Sequence, residues 1–171
     1  MSTIRITKQF NFETGHALYG YDGKCKNVHG HSYKLSVTVS GKPIKDNTNV
    51  KYGMVIDFIF LRDTLTEIIS KLDHCMLLPT ENPFLQVTMQ TEQGQDEVLV
   101  NFGERRWIFP ADECRLLPLA NTTAELLAKW IGNELIQALK RSDYLQTKNI
   151  RLEVDECFGQ SAMWENNTLT K

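Results

Sequence analysis

Residues 25–39 read C-K-N-V-H-G-H-S-Y-K-L-S-V-T-V, and the fold is decided there. Tyr33, Leu35, Val37 and Val39 fall on one phase, Lys34, Ser36 and Thr38 on the other, which is the alternation of a half-buried strand. His29 and His31 share the phase of Tyr33 and Leu35, so both imidazoles point to the apolar face. Upstream, Ile4, Ile6, Phe10 and Phe12 alternate with Arg5, Thr7 and Asn11, predicting an earlier strand of the same kind. A polar, glycine-rich stretch separates the two. If the strands form a hairpin, His16 folds across to the place where His29 and His31 lie.

Downstream, Gly41, Pro43 and the run K-D-N-T-N break the alternation in a loop. Asp57 then suits the N-cap of a helix whose apolar face is Leu61, Leu65, Ile68 and Leu72. Residues 84–117 are less regular. Within them 97–109 read as a hairpin turning at Gly103, a surface insertion. A second helix starts near Thr122, with Leu127, Ile131, Leu135 and Leu139 on one stripe, and Thr122-x-x-Glu125 fits a capping box. Ile150, Leu152 and Val154 alternate with Arg151, Glu153 and Asp155 in a closing strand. Strands segregated from helices predict an α+β domain over 1–171, its antiparallel sheet covered on one face by two helices.

Composition sets the outer bounds. The chain has 171 residues, 42% hydrophobic and 23% charged, which excludes collagen, a disordered tail and a coiled coil. With 19 basic against 21 acidic residues the net charge is −2, without the electrostatic footprint of a general nucleic-acid binder. No stretch approaches the roughly 18 apolar residues needed to cross a bilayer. The N-terminus carries no apolar leader, and Cys25, Cys75, Cys114 and Cys157 show no paired short spacing. The expectation is a cytoplasmic protein with reduced thiols, partnering neither nucleic acid nor membrane.

Three of the four histidines, His16, His29 and His31, lie within sixteen residues. Three neutral imidazoles without an obvious fourth ligand describe a catalytic Zn²⁺ site with an open position. The alternative is a polar H-G-H turn and a surface His16. Cys25, flanked by Lys24 and Lys26, is open to three readings: a fourth ligand closing the site, a thiolate favoured by neighbouring charge, or an inert loop residue. His74 follows Asp73, a pairing that suits proton transfer, although in isolation a helix C-cap explains it more readily. Glu156 continues the inward phase of Ile150, Leu152 and Val154. Such a carboxylate needs a partner, and adjacent N–H donors like those on a pterin or guanine edge would serve; otherwise the strand has ended there in solvent.

Taken together, F-N-F-E-T-G-H-A-L, C-K-N-V-H-G-H-S-Y, G-M-V-I-D-F, L-D-H, N-T-T-A-E-L-L-A-K-W-I and V-D-E, in that order, resemble the 6-pyruvoyltetrahydropterin and 6-carboxytetrahydropterin synthase family. The resemblance covers most of the chain outside 84–117. It implies a T-fold whose subunits assemble into a barrel, typically a hexamer built as a dimer of trimers. It implies Zn²⁺ on His16, His29 and His31, with Cys25 as catalytic base and Asp73 and His74 completing a proton relay. Glu156 would anchor the pterin, Thr123 and Ala124 would offer it backbone contacts, and Glu125 matches a family carboxylate. The implied substrate is 7,8-dihydroneopterin triphosphate. Its redox change is intramolecular, and the chain accordingly has no G-x-G-x-x-G for a nicotinamide. The three residues between Cys25 and His29 resemble the 6-carboxytetrahydropterin branch, associated with queuosine and deazapurine biosynthesis. Cys157 after the closing Glu and the length of 84–117 depart from the family pattern.

Overall fold

The structure, a computed structural model, describes residues 3–142, 144, 147–157 and 159–167. Strand β1 (Ile4–His16) pairs antiparallel with β2 (His29–Gly41). The register sets Phe12 opposite Tyr33, Thr14 opposite His31 and His16 opposite His29. A dozen residues connect them, so the hairpin brings the first histidine back to the other two. Strand β8 (Thr147–Cys157) extends β2 and β9 (Gln160–Asn166) extends β8, both antiparallel. On the other side β3 (Cys75–Pro79) and β7 (Cys114–Leu117) are added in parallel, giving the order β7-β3-β1-β2-β8-β9. The expected antiparallel sheet is thus antiparallel-rich, with two short parallel pairings at one edge. Four or five residues are too few to show a period, and neither short strand is visible in the sequence.

Helices α1 (Phe58–Ile69) and α2 (Ala124–Lys140) bury their stripes on one face of this sheet. Leu61, Leu65, Leu127, Ile131 and Leu135 are fully enclosed with Phe12, Tyr33, Leu35, Val37, Ile150 and Leu152. Each such side chain contributes about 1.5–3 kcal/mol by leaving water. Asp57 caps α1 as expected, accepting the Ile59 N–H at 2.8 Å. Leu72 is buried but lies in the turn past the helix end.

The α2 cap differs from the expected Thr122-x-x-Glu125 box. Thr123 is the N-cap and accepts the Leu126 N–H at 3.4 Å. Thr122 sits one residue earlier, buried, its hydroxyl donating to the Ala17 carbonyl. Glu125 therefore falls a residue early for the reciprocal bond and stays exposed in the first turn.

Gly132 in α2 lies against Trp164 of β9, where an added Cβ would come within 2.2 Å of the indole ring. Alanine in a helix normally gains about 1 kcal/mol over glycine. Here Gly132→Ala should instead destabilise the fold by about 1–3 kcal/mol, because the ring has to be displaced. A urea midpoint at or above the parent's would contradict that.

Residues 86–110 form a second sheet, β4 (Gln86–Glu92), β5 (Gln95–Phe102) and β6 (Arg105–Pro110), all antiparallel. The hairpin expected at Gly103 is the β5–β6 turn, where Gly103 takes φ +58°. β4 precedes it through Gln93 and Gly94, both left-handed, as a two-residue hairpin turn demands. Val98 and Val100 bury one face of this sheet against Ala17, Tyr19, Met76 and Leu78, so it lies beside the β1–β2 connection. Among the described residues no helix is long and apolar enough to cross a membrane.

Candidate active site

The β1–β2 register brings His16, His29 and His31 together. One ring nitrogen from each lies within 4.8 Å of the others. His16 is almost fully buried, and its Nδ1 donates to the Thr122 carbonyl at 2.8 Å. His29 Nδ1 donates to the Asn27 carbonyl at 2.8 Å. A carbonyl oxygen can only accept, so in both rings Nδ1 carries a proton, which leaves the lone pair on Nε2 in the neutral imidazole. These two Nε2 atoms stand 3.1 Å apart. Two lone pairs face to face repel unless a cation or a proton lies between them. Burial lowers the His16 pKa to about 4, with the neighbouring imidazoles adding to the effect against the Thr122 bond, so protonation is disfavoured there. The donor set fits a divalent metal that accepts imidazole nitrogen. Acidification below about pH 6.5 also works against the metal-free fold, because the unfolded chain takes up a proton that folded His16 refuses until about pH 4.

Gly30, between two of the histidines, is fixed by close approach. A Cβ there would meet the Thr14 carbonyl oxygen at 2.9 Å, so only glycine lets the strands pair at this point. The H-G-H segment is strand rather than a polar turn, and His16 is not a surface residue.

Cys25 lies in a single 3₁₀ turn, Lys24–Lys26, in the β1–β2 connection, half-buried and unpaired with another cysteine. The Leu18 N–H donates to its carbonyl at 2.8 Å and ties the loop down. The cluster that could hold a metal contains the three histidines without Cys25.

Glu156 is not past the end of its strand. β8 runs on to Cys157, with a register shift between Asp155 and Cys157. The carboxylate accepts the Tyr33 hydroxyl at 3.3 Å. Burial raises the Tyr33 pKa most, and the Glu156 carboxylate and the Cys25 thiol raise it further. Glu156, Thr123, Ala124 and Glu125 line one cavity of about 390 Å³ together with Leu18 and Tyr21. A second, of about 450 Å³, runs from Glu156 to His31. The carboxylate thus stands between the N-terminus of α2 and the imidazole cluster.

Asp73 and His74 occupy the turn after α1 rather than its cap, which is Ser70. Asp73 accepts the Glu13 N–H at 2.8 Å and pairs with His74 Nδ1 at 3.0 Å. The Glu13 bond first, and His74 after it, hold the Asp73 carboxyl below its usual range. His74 has φ +56°, rare outside glycine and asparagine, and its N–H donates to the Glu13 carbonyl. It is largely exposed and lines a cleft of about 480 Å³ shared with His29 and His31. Cys25 does not line that cleft, and among the described residues no hydrogen bond joins its thiol to Asp73 or His74.

Three residues of the site escaped the sequence reading. Tyr33 read only as core, Thr122 as a cap and Asn27 as loop. Each acts through a backbone carbonyl or a hydroxyl whose aim depends on the register, and a one-residue periodicity carries no such signal.

A family model described as 6-pyruvoyl tetrahydropterin synthase matches residues 5–166. The chain is 33% identical over 150 residues to the 6-carboxy-5,6,7,8-tetrahydropterin synthase of Haemophilus influenzae, covering 87% of this chain and 91% of that protein. It is 27% identical over 157 residues to the enzyme of the same name from Rickettsia bellii, covering 91% and 97%. The solved structure of 6-pyruvoyl tetrahydropterin synthase from Plasmodium falciparum superposes with a TM-score of 0.79 at 25% identity, covering 98% of this chain and 99% of that one. A three-histidine cluster on a β-hairpin, a carboxylate at the end of the adjoining strand and a two-helix cover meet in a chain that belongs to the 6-pyruvoyl tetrahydropterin synthase family.

Proposed function

We propose that this protein is a zinc-dependent lyase that converts 7,8-dihydroneopterin triphosphate to 6-carboxy-5,6,7,8-tetrahydropterin. The observation that carries the reading is the convergence of the His16 and His29 Nε2 atoms, 3.1 Å apart, beside His31 and one cavity away from Glu156. The three imidazoles would hold Zn²⁺, which as a Lewis acid stabilises negative charge developing on the substrate side-chain oxygens. Glu156, already receiving the Tyr33 hydroxyl, would accept two ring N–H groups of the pterin. Thr123 and Ala124 would border the ring at the start of α2, with Glu125 at the rim. Cys25 would take a proton from the substrate side chain, and Asp73 and His74 would carry protons at the cleft beside His29 and His31. The ring is reduced at the expense of its own side chain, so no external hydride is needed. Triphosphate leaves on either branch, and the carboxy product additionally consumes water and releases acetaldehyde. The names of the bacterial relatives and the Cys25–His29 spacing support the carboxy branch over the pyruvoyl one.

The same reading takes the chain as one domain in which 84–117 is an insertion, acting in the cytoplasm. It also takes the protein as a homo-oligomer, a hexamer of two trimers, since β7 and β9 end the six-stranded sheet and offer edges for a second copy. Native mass spectrometry tests the assembly.

The deciding experiment is product analysis on dihydroneopterin triphosphate with and without chelator. Acetaldehyde and a carboxylated pterin, both lost on chelation and restored by zinc, are the expected result. A pyruvoyl pterin would assign the other branch, and an unchanged substrate would sink the enzymatic reading. Glu156→Gln keeps the shape but removes the charge that two N–H donors require. It should raise KM about 10- to 100-fold, the worth of a charge-assisted hydrogen-bonded contact, with zinc content unchanged. Equal KM values would remove Glu156 from the pterin site.

A further inference from the structure

On the reading above, the three phosphates are the most charged part of the substrate, and none of the cavities described so far suits them. Among the described residues, the cavity at the α2 N-terminus is lined by Glu125 and Glu156 without a lysine or arginine. The cleft at His74 also lacks both. The third sets Lys34 against Asp155 and Glu156. A fourth cavity, of about 320 Å³, lies where the β1–β2 connection meets the β5–β6 hairpin, and among the described residues its lining charges are Lys26 and Arg105 with no carboxylate. Asp22 and Glu104, adjacent in sequence to lining residues, do not line it.

Its walls are aromatic. Tyr19 packs on Phe102 and Trp107 with ring centroids 5.9 and 5.7 Å away. The Arg105 guanidinium lies 5.8 Å above the Trp107 ring, and one of its N–H groups donates to Asn27 Oδ1 at 3.3 Å. Arginine carries five donors in a fixed fork, so this anchoring orients the group and leaves donors for a ligand. Lys26 and Arg105 are both exposed, so an anionic ligand can reach them. Tyr21 lines this cavity and the one containing Glu156, so the two adjoin across a single side chain. Lys26 follows Cys25 directly in the same 3₁₀ turn.

We infer that the cavity between the β1–β2 connection and the β5–β6 hairpin seats the triphosphate of the substrate, with Arg105 and Lys26 as its cations. This rests on the pterin triphosphate reading given above. It assigns the second sheet a task in the reaction: β6 delivers a guanidinium to the loop that carries Cys25.

The test uses zinc-loaded Arg105→Gln, Lys26→Gln and Arg105→Lys proteins. Each glutamine variant should raise KM for dihydroneopterin triphosphate about tenfold, the low end for a hydrogen bond to a charged group at an open site, and move kcat far less. Inhibition by inorganic tripolyphosphate should weaken by the same factor, with Arg105→Lys recovering part of both effects. Metal stripping by tripolyphosphate would affect parent and variants alike, so the difference between them is the readout. Affinity for unphosphorylated dihydroneopterin and zinc content should stay at parent values. A fall in dihydroneopterin affinity in step with KM would show that the cations merely hold the loop, and would overturn the assignment. Unchanged KM and unchanged tripolyphosphate inhibition in both glutamine variants would overturn it too. If the parent does not turn over dihydroneopterin triphosphate, the functional reading fails separately. Tripolyphosphate binding by calorimetry, parent against Arg105→Gln, then still decides this one.

Discussion

His16→Ala should release the metal and lower turnover of dihydroneopterin triphosphate about a thousandfold or more. His16 is the most enclosed of the three imidazoles, and its Nδ1 bond to the Thr122 carbonyl aims Nε2 at the other two rings. Removing it takes away one of three ligands together with the anchor that sets the ring plane. Loss of outer-sphere support alone typically costs 10–100-fold in metal affinity, and loss of a ligand costs more. If the metal provides several kcal/mol of charge stabilisation, each 1.36 kcal/mol being tenfold in rate, a thousandfold loss follows. Zinc content by atomic emission and turnover at saturating zinc are the two measurements. Circular dichroism and His16→Gln guard against a folding defect, since alanine also leaves a cavity at a buried position. Full activity in a zinc-free His16→Gln protein would end the metal reading.

Cys25→Ala should behave in the opposite way with respect to zinc. The thiol is outside the histidine cluster, so zinc should remain at parent stoichiometry. Turnover should fall about 10²- to 10⁴-fold, the usual worth of a positioned proton-transfer group. Cys25→Ser, a far weaker base of nearly the same size, should lose nearly as much. This separates a chemical role from a packing one. Loss of zinc together with the thiol would make Cys25 a ligand and close the coordination sphere. The protein would then be a pterin- or purine-binding module with a structural metal. Retained turnover in both variants would return Cys25 to a loop residue.

The two variants probe parts of the molecule that the sequence exposes unequally. The β1–β2 alternation and the helical stripes of α1 and α2 are written in residues that repeat every two or every three to four positions; burial of Phe12, of the β2 residues and of the helical stripes confirms them, while Ile4 stays exposed and Ile6 and Phe10 are half-buried. The histidine cluster was legible because two of its members lie two apart on one strand and the third ends the strand paired with it. Glu156 was legible as a carboxylate in an apolar phase. The start of α2 lies one residue later than the capping-box pattern predicts, since Thr122 and Thr123 offer equal caps locally. The choice fell to Thr123 because Thr122 is bound into the β1 end through Ala17 and His16. β3 and β7 are too short to carry a period, and their parallel pairing has no local signature at all.

By itself, the sequence determined the secondary elements with clear periodicity, the α+β class, the three imidazoles that could hold a metal and the odd carboxylate, because each is read from spacing along the chain. The tertiary structure alone decided that Thr122 and Asn27 hold the imidazoles and that Tyr33 donates to Glu156. It also decided that Arg105 and Lys26, 79 positions apart by their numbering, line one cavity. Those pairings are made across strand registers and between two sheets, where a shift of one residue would turn every side chain to the opposite face.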